Sequence, residues 1–252
     1  MNSVGKAAQL FGRLLKLAVT NPARLSHVLG TALNASEEVL HRERDLLRFP
    51  GMAIDDLLPS DGPPLKIELA LFPKTHASIS PLEFTCLVLL LKKARARSIF
   101  EFGTYQGVSV TQLALNLPPD SRIYTLDLPD QPAPTRFAIA DPEDAVIAAE
   151  SGKGALVPRE LRPRIRFLQQ DSAAFDESPY AGQMDFVFVD GAHNHDYVRN
   201  DSEKGWRLLR SGGIIAWHDC RPQDPAVVRY LLASSYHPMR INGTTLAYAV
   251  KP

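Results

Sequence analysis

The residues with the clearest chemical promise lie between Ser98 and Gly107, a run of Ser-Ile-Phe-Glu-Phe-Gly-Thr-Tyr-Gln-Gly. Ser98–Phe102 predicts a short buried strand, Gly103–Gly107 a glycine-flanked turn, and Val108–Leu117 an amphipathic helix. Such a junction holds small ligands because glycine lets the backbone approach closely. The free N–H groups and dipole of the helix then face outward from the carboxyl end of a parallel strand. A purely structural strand-to-helix turn would look much the same. A second carboxylate favours the ligand: Asp127 ends the next predicted strand, Arg122–Leu126, 24 residues past Gly103. There it can accept hydrogen bonds from the vicinal hydroxyls of a ribose, the alternative being an Asp that only caps a turn.

These side chains need a sheet to hold them. Ser80, Pro81 and Glu83 form a capping box with proline at the first helical position, opening a helix through Leu87, Leu90 and Leu91 into the first strand. Further strands are predicted at Ile165–Leu168, Met184–Val189 and Ile214–Trp217, with helices at Tyr197–Leu209 and near Ala226–Leu232. Asn242-Gly243 marks a closing hairpin, so the last strands are expected to be antiparallel. The expected class is α/β: a Rossmann-like sheet, mostly parallel with one antiparallel edge strand, helices on both faces, and an N-terminal helical extension. Right-handed crossovers place the strand ends on one rim.

Three regions are expected: a helical extension over 1–50, a proline-rich linker over 51–79 with a short strand near Ile67–Leu71, and a catalytic domain over 80–252. Within the last, residues 129–163 form an insert with a helix over Pro142–Glu150, expected to border the substrate site. Residues 1–36 carry no acidic side chain, and Lys6, Gln9, Arg13 and Lys16 recur at helical spacing opposite an apolar face. A second helix opens at Asn21-Pro22 and runs toward Leu47. Packing on the domain or on a second subunit as a homodimer is the plain expectation for these helices, and contact with an anionic membrane surface is the sharper one.

Acid, one residue, Gly103, then Gly107 four on resembles the cofactor loop of class I S-adenosylmethionine-dependent methyltransferases. Phe186-Val187-Phe188-Val189-Asp190-Gly191-Ala192-His193, the Gly212-Gly213 turn and Trp217-His218-Asp219 narrow the likeness to small-molecule O-methyltransferases of the catechol and macrolide-sugar types. The resemblance covers about Ser78–Val250, leaving the N-terminal helices and the insert aside. It implies S-adenosylmethionine held by Glu101, Gly103, Thr104, Gly107 and Ser109 at the methionine end, by Asp127 at the ribose, and by Asp171 with Ser172 at the adenine. It implies a divalent cation on Asp190, His218 and Asp219. Two carboxylates suit a hard ion such as Mg²⁺, but the imidazole of His218 stands where the catechol type has a carboxylate and tilts the set toward a transition metal. The alternative is that His218 and Asp219 only hydrogen-bond the substrate or loop. His193, three residues after Asp190, falls where the catechol type keeps its lysine base. A neutral imidazole there could take a hydroxyl proton near pH 7, with His195 a competing base on the same loop.

Composition bounds the rest. Twenty-eight basic residues balance twenty-eight acidic ones across 252 residues, so no global field draws the chain to nucleic acid. Cys86 and Cys220 suit reduced thiols better than a disulfide framework, and no apolar run reaches the roughly 18–20 residues of a membrane span. The N-terminus also lacks a compact apolar run with a small-residue cleavage site, so a cytoplasmic setting is expected. A nicotinamide-dependent oxidoreductase is disfavoured by the missing third glycine and the closing hairpin. The expected function is O-methylation of a small-molecule acceptor, a sugar or natural product. The alternative is a non-catalytic methyltransferase-like subunit that recruits a partner or membrane through its N-terminal helices.

Overall fold

Near-continuous apolar runs make the centre of the sheet. β2 (Ser98–Phe102) and β5 (Met184–Val189) pair in parallel, and each is covered on both faces, which is why their sequences barely alternate between polar and apolar. The period of two decides which side chain goes where. Ile99, Phe186 and Phe188 join one core with α1 (Pro81–Lys93) and α2 (Val108–Leu115). Phe100, Phe102, Val187 and Val189 join the other, with α4 (His195–Leu208) and α5 (Pro225–Ala233). α3 (Pro142–Ala149) lies in the insert.

The computed structural model describes residues 37–72, 79–131, 133–139 and 141–252. The chain divides into two compact units, residues 1–45 and 46–252. Of the first, residues 37–45 are described; they are helical and carry an exposed Arg42–Glu38 pair. The basic helix expected within residues 1–36 and most of the one that follows it lie outside the described residues, as do the contacts expected of them. Among the described residues no helix is long and apolar enough to cross a membrane.

The second unit holds one eight-stranded sheet in the order β1-β7-β8-β6-β5-β2-β3-β4. The remaining strands are β1 (Gly51–Met52), β3 (Arg122–Asp127), β4 (Ile165–Gln169), β6 (Leu209–Trp217), β7 (Met239–Ile241) and β8 (Ala247–Val250). The sheet is mostly parallel, with its antiparallel pairings, β8 against β6 and β7, toward one edge. Short β7 and β1 continue the sheet past β8. Phe102 pairs with both Val189 and Leu126, Asp127 with Gln169 and Val189 with Trp217, so five parallel strands end at one level.

Two local expectations change. Ile67–Leu71 is not a strand; the side-chain amides of Asn116 and Gln112 take the place of a neighbouring strand. Each donates to, and accepts from, the backbone of residue 68 or 70 at 2.6–3.0 Å. The strand in the proline-rich segment is β1 instead, earlier in the chain. Gly212-Gly213 does not precede β6 but lies inside it, where Gly212 at φ +74° accompanies a register shift opposite Met184–Phe186. The other elements expected over residues 80–252 form close to where they were expected. Ser80 Oγ and the Glu83 carboxylate cap α1 reciprocally, and Asn194 caps α4 through the Tyr197 N–H at 2.9 Å.

Candidate active-site cleft

A cleft of about 220 Å³ opens at the rim where the parallel strands end. Gly103 makes its floor possible. At φ +93° it lies so near β5 that a Cβ would sit 2.0 Å from the Asp190 carbonyl oxygen. Gly107, at φ +86°, meets the insert: a Cβ there would lie 2.4 Å from Val157 Cγ2. The insert also donates from Gly154 N to Tyr105 O and from Leu156 N to Gln106 O, at 2.6 and 2.9 Å. The glycine loop is thus clamped from outside by residues 154–157.

Asp127 closes the loop from within. Its Oδ2 accepts from the Thr104 and Tyr105 N–H groups at 2.9 and 2.6 Å, and its Oδ1 accepts from Leu128 N at 2.7 Å. A carboxylate has about four acceptor sites, so one remains, on Oδ1. Asp171 is similarly engaged: Oδ1 accepts from Ala173 N and the Tyr197 hydroxyl, and Oδ2 from Arg136 N. Glu101 is fully buried and takes a 2.5 Å hydrogen bond from Thr125, which also pairs with Thr104. Burial pushes its carboxyl up to about 8, against the pull of Ser109 and Thr125 hydrogen bonds.

Opposite the loop stands an ionic cluster. His193 Nδ1 lies 2.6 Å from Asp144 Oδ1 and its Nε2 lies 2.8 Å from Asp219 Oδ2. Burial alone would lower its pKa, but hydrogen bonds to the two carboxylates outweigh that and push it up to about 11. His218 Nδ1 lies 3.0 Å from Asp190 Oδ1 and 2.9 Å from Asp219 Oδ2. It too is held well above the usual histidine range, its burial outweighed by Asp190, Asp219 and Glu83. Asp219 sits in the left-handed region at φ +55°, a costly conformation for a residue with a Cβ, and this turns its carboxylate back between the two rings. Burial would raise its pKa, but the two histidines hold it far below the ordinary carboxylate range.

The donor set fits a divalent cation. One ligand atom each from Asp190, His218 and Asp219 lies within 4.8 Å of the others, and Asp219 Oδ1 is buried without a hydrogen bond, 3.1 Å from Arg221 Nη2. His218 would have to give up a proton to join such a site.

Residues 100–220 match a family model described as a methyltransferase domain. That segment is similar to methyltransferase domains. The chain is similar to the caffeoyl-CoA O-methyltransferase of Stellaria longipes, with 27% identity over 150 residues covering 58% of this chain and 55% of that protein. It is 26% identical to the flavonoid 3',5'-methyltransferase of Vitis vinifera over 166 residues, covering 61% of this chain and 63% of the other. The chain therefore spans less than two thirds of the length of these relatives. Among solved structures, the O-methyltransferase TomG from Streptomyces achromogenes shares 20% identity at a TM-score of 0.47, over 70% of this chain and 82% of that one.

Within the matched segment, Gly103, Thr104, Ser109 and Asp127 line the cleft. Asp171, Ser172, Asp190, His193, His218 and Asp219 line it as well. Two expected site residues do not reach it. Glu101 lies beneath the floor and Gly107 faces the insert, so both support the loop instead of lining the space. At His193, expected as a neutral base, both ring nitrogens are engaged by carboxylates, which favours the charged form of the ring. His195 is exposed at the first turn of α4, in keeping with a solvent-facing role. Asp144, Tyr197 and Glu83 were missed as site residues. Asp144 carries only a helix N-terminal signal in the sequence, and Tyr197 reads as one more aromatic on an amphipathic helix.

Proposed function

We propose that the chain is an S-adenosylmethionine-dependent O-methyltransferase that acts on a hydroxyl of a small molecule. The observation that carries this is the convergence of Asp127, Asp171 and Asp190 on one cleft floored by Gly103, together with the His193–Asp219 pair. The names of the plant relatives point the same way. S-adenosylmethionine would supply a sulfonium methyl, an electrophile that needs in-line placement more than acid–base help.

The chain's own groups then divide the work. The remaining acceptor site on Asp127 Oδ1 suits a ribose hydroxyl, and Ser172 with the free face of Asp171 borders the adenine end. Gly103, Thr104 and Ser109 surround the methionine end, with Glu101 and Gly107 shaping that loop from behind. An acceptor hydroxyl that comes up beside the His193–Asp219 pair, whose Nε2 and Oδ2 are 2.8 Å apart, meets a donor and an acceptor side by side. The His193 ring fixes the oxygen, and the hydroxyl proton is released to water as the methyl arrives and the sulfonium becomes a neutral thioether. Asp190, His218 and Asp219 would hold a divalent cation, which when bound would orient the acceptor oxygen and ease loss of its proton. The domain division into a helical extension, a linker segment and a catalytic region with a substrate-side insert is retained in this proposal, as is a cytoplasmic setting.

Calorimetric titration of the full chain with S-adenosylhomocysteine, with and without Mg²⁺ or Mn²⁺, tests it. Binding that is lost in Asp127→Ala is the expected result; preference for a dinucleotide would overturn the assignment.

A further inference from the structure

α3 is an unusual helix for a folded domain because its one buried side chain is a carboxylate. Asp144 is 6% exposed while Val146 is 58% exposed, so no apolar stripe fastens the helix to the body. Its ends are closed locally. Asp141 accepts from Glu143 N and Asp144 N at the start, and Lys153 Nζ donates to Ile147 O near the finish. What ties α3 to the domain core is polar: Asp144 Oδ2 accepts the His193 backbone N–H at 2.8 Å and Oδ1 lies 2.6 Å from His193 Nδ1. Next to it, Asn194 Nδ2 donates to Ala138 O at 2.8 Å, fixing the chain that leads into the helix.

We propose that Asp144 is a positioning residue, a latch by which the insert helix holds the loop after β5 and sets the plane of the His193 ring. Holding a backbone N–H and a ring nitrogen of the same residue with one carboxylate leaves the ring no freedom to rotate. Nε2 is thereby aimed at Asp219 across the cleft. Glu143, Ile147 and Ala148 of the same helix line the cleft, so one contact joins the acceptor-side wall to the residue that meets the acceptor oxygen. A buried carboxylate tolerates such a place only while paired, which makes the latch cooperative: it is closed with both bonds or open with neither. The catalytic meaning of the latch rests on the transferase reading of the cleft; the latch itself does not.

Hydrogen exchange on the ligand-free full chain, compared among wild type, Asp144→Ala and Asp144→Asn, tests the latch. Exchange over residues 141–150 and at the His193 amide is expected to quicken at least tenfold in Asp144→Ala. In Asp144→Asn, where one acceptor oxygen survives, the gain is expected to be smaller. Peptides from β2 and β5 should stay within twofold of wild type. Nitrogen-15 spectra should show the His193 ring signals displaced in both variants with those of His195 in place, a signature that a merely structural anchor would not produce. Unchanged exchange over 141–150, a loosening spread equally over β2 and β5, or unmoved His193 ring signals would each overturn the proposal. Titration of the same wild-type sample with S-adenosylhomocysteine reports separately on the transferase reading. Failure there would leave the latch standing.

Discussion

Gly103 and Asp190 touch backbone to backbone: the position a Cβ would take on Gly103 is 2.0 Å from the Asp190 carbonyl oxygen. The contact presses the glycine loop after β2 against the loop after β5 that carries His193. Gly103→Ala therefore faces both a clash with backbone and a left-handed φ of +93°. A loss of about 2–5 kcal/mol in unfolding free energy is expected, combining strain and overpacking. Gly62 has φ +105° but open space around it, so Gly62→Ala should lose only about 1 kcal/mol. Urea unfolding of the two variants checks the contrast, and equal losses would remove the special standing of Gly103.

Glu101 gives the fold a pH dependence. Its folded-state pKa of about 8 stands above the roughly 4.3 of an unfolded glutamate, so between those values the folded chain keeps a proton that the unfolded chain has released. The stability this group contributes is complete below about pH 4.3 and is lost as pH rises through 8, at about 1.4 kcal/mol per pH unit at most. Glu101→Gln should gain on wild type steadily from pH 5 to 8.5. Denaturation midpoints that track each other across that range would count against the buried acid.

Tyr197 ties α4 to the loop after β4 through its hydroxyl, 3.0 Å from Asp171 Oδ1. Tyr197→Phe removes that donor and keeps the ring, which packs edge-on against Phe137 at 5.3 Å. A loss of about 1–2 kcal/mol is expected, since hydrogen bonds to charged groups exceed neutral ones. Tyr197→Ala should lose more, because the ring itself is buried. Thermal unfolding of the pair separates hydroxyl from ring.

Asp219 serves both sides of the ionic cluster, meeting His193 and His218 through the same Oδ2 atom. Asp219→Asn should lower turnover at least a hundredfold and weaken Mn²⁺ binding at least tenfold, because it removes a charge from both the acceptor position and the cation donor set. His218→Ala should weaken Mn²⁺ to a similar degree. Electron paramagnetic resonance of free Mn²⁺ reads both variants, and affinities equal to wild type would leave Asp190, His218 and Asp219 as a purely ionic cluster.

Much of the sheet could be read in advance because its signals are local. Val-Phe-Val runs, the Ser80–Glu83 capping box and the Asn242-Gly243 pair each act over a few residues. The Ile67–Leu71 strand failed for the opposite reason: whether an extended run finds a strand or the side chains of Asn116 and Gln112 depends on what packs beside it. The same holds for the Gly212-Gly213 pair, whose left-handed glycine serves a bulge as readily as a turn.

From the sequence alone came the strands, their polar ends and hence the rim on which Asp127, Asp171, Asp190 and Asp219 gather, since hydrophobic periodicity and parallel connections leave few other arrangements. Tertiary structure alone decided how those groups are paired. His193 finds Asp144 and Asp219 across 49 and 26 residues of chain, and no spacing rule announces either contact. Burial by itself would lower the pKa of the ring, but its hydrogen bonds to those two carboxylates outweigh that and favour the charged form over the neutral base expected.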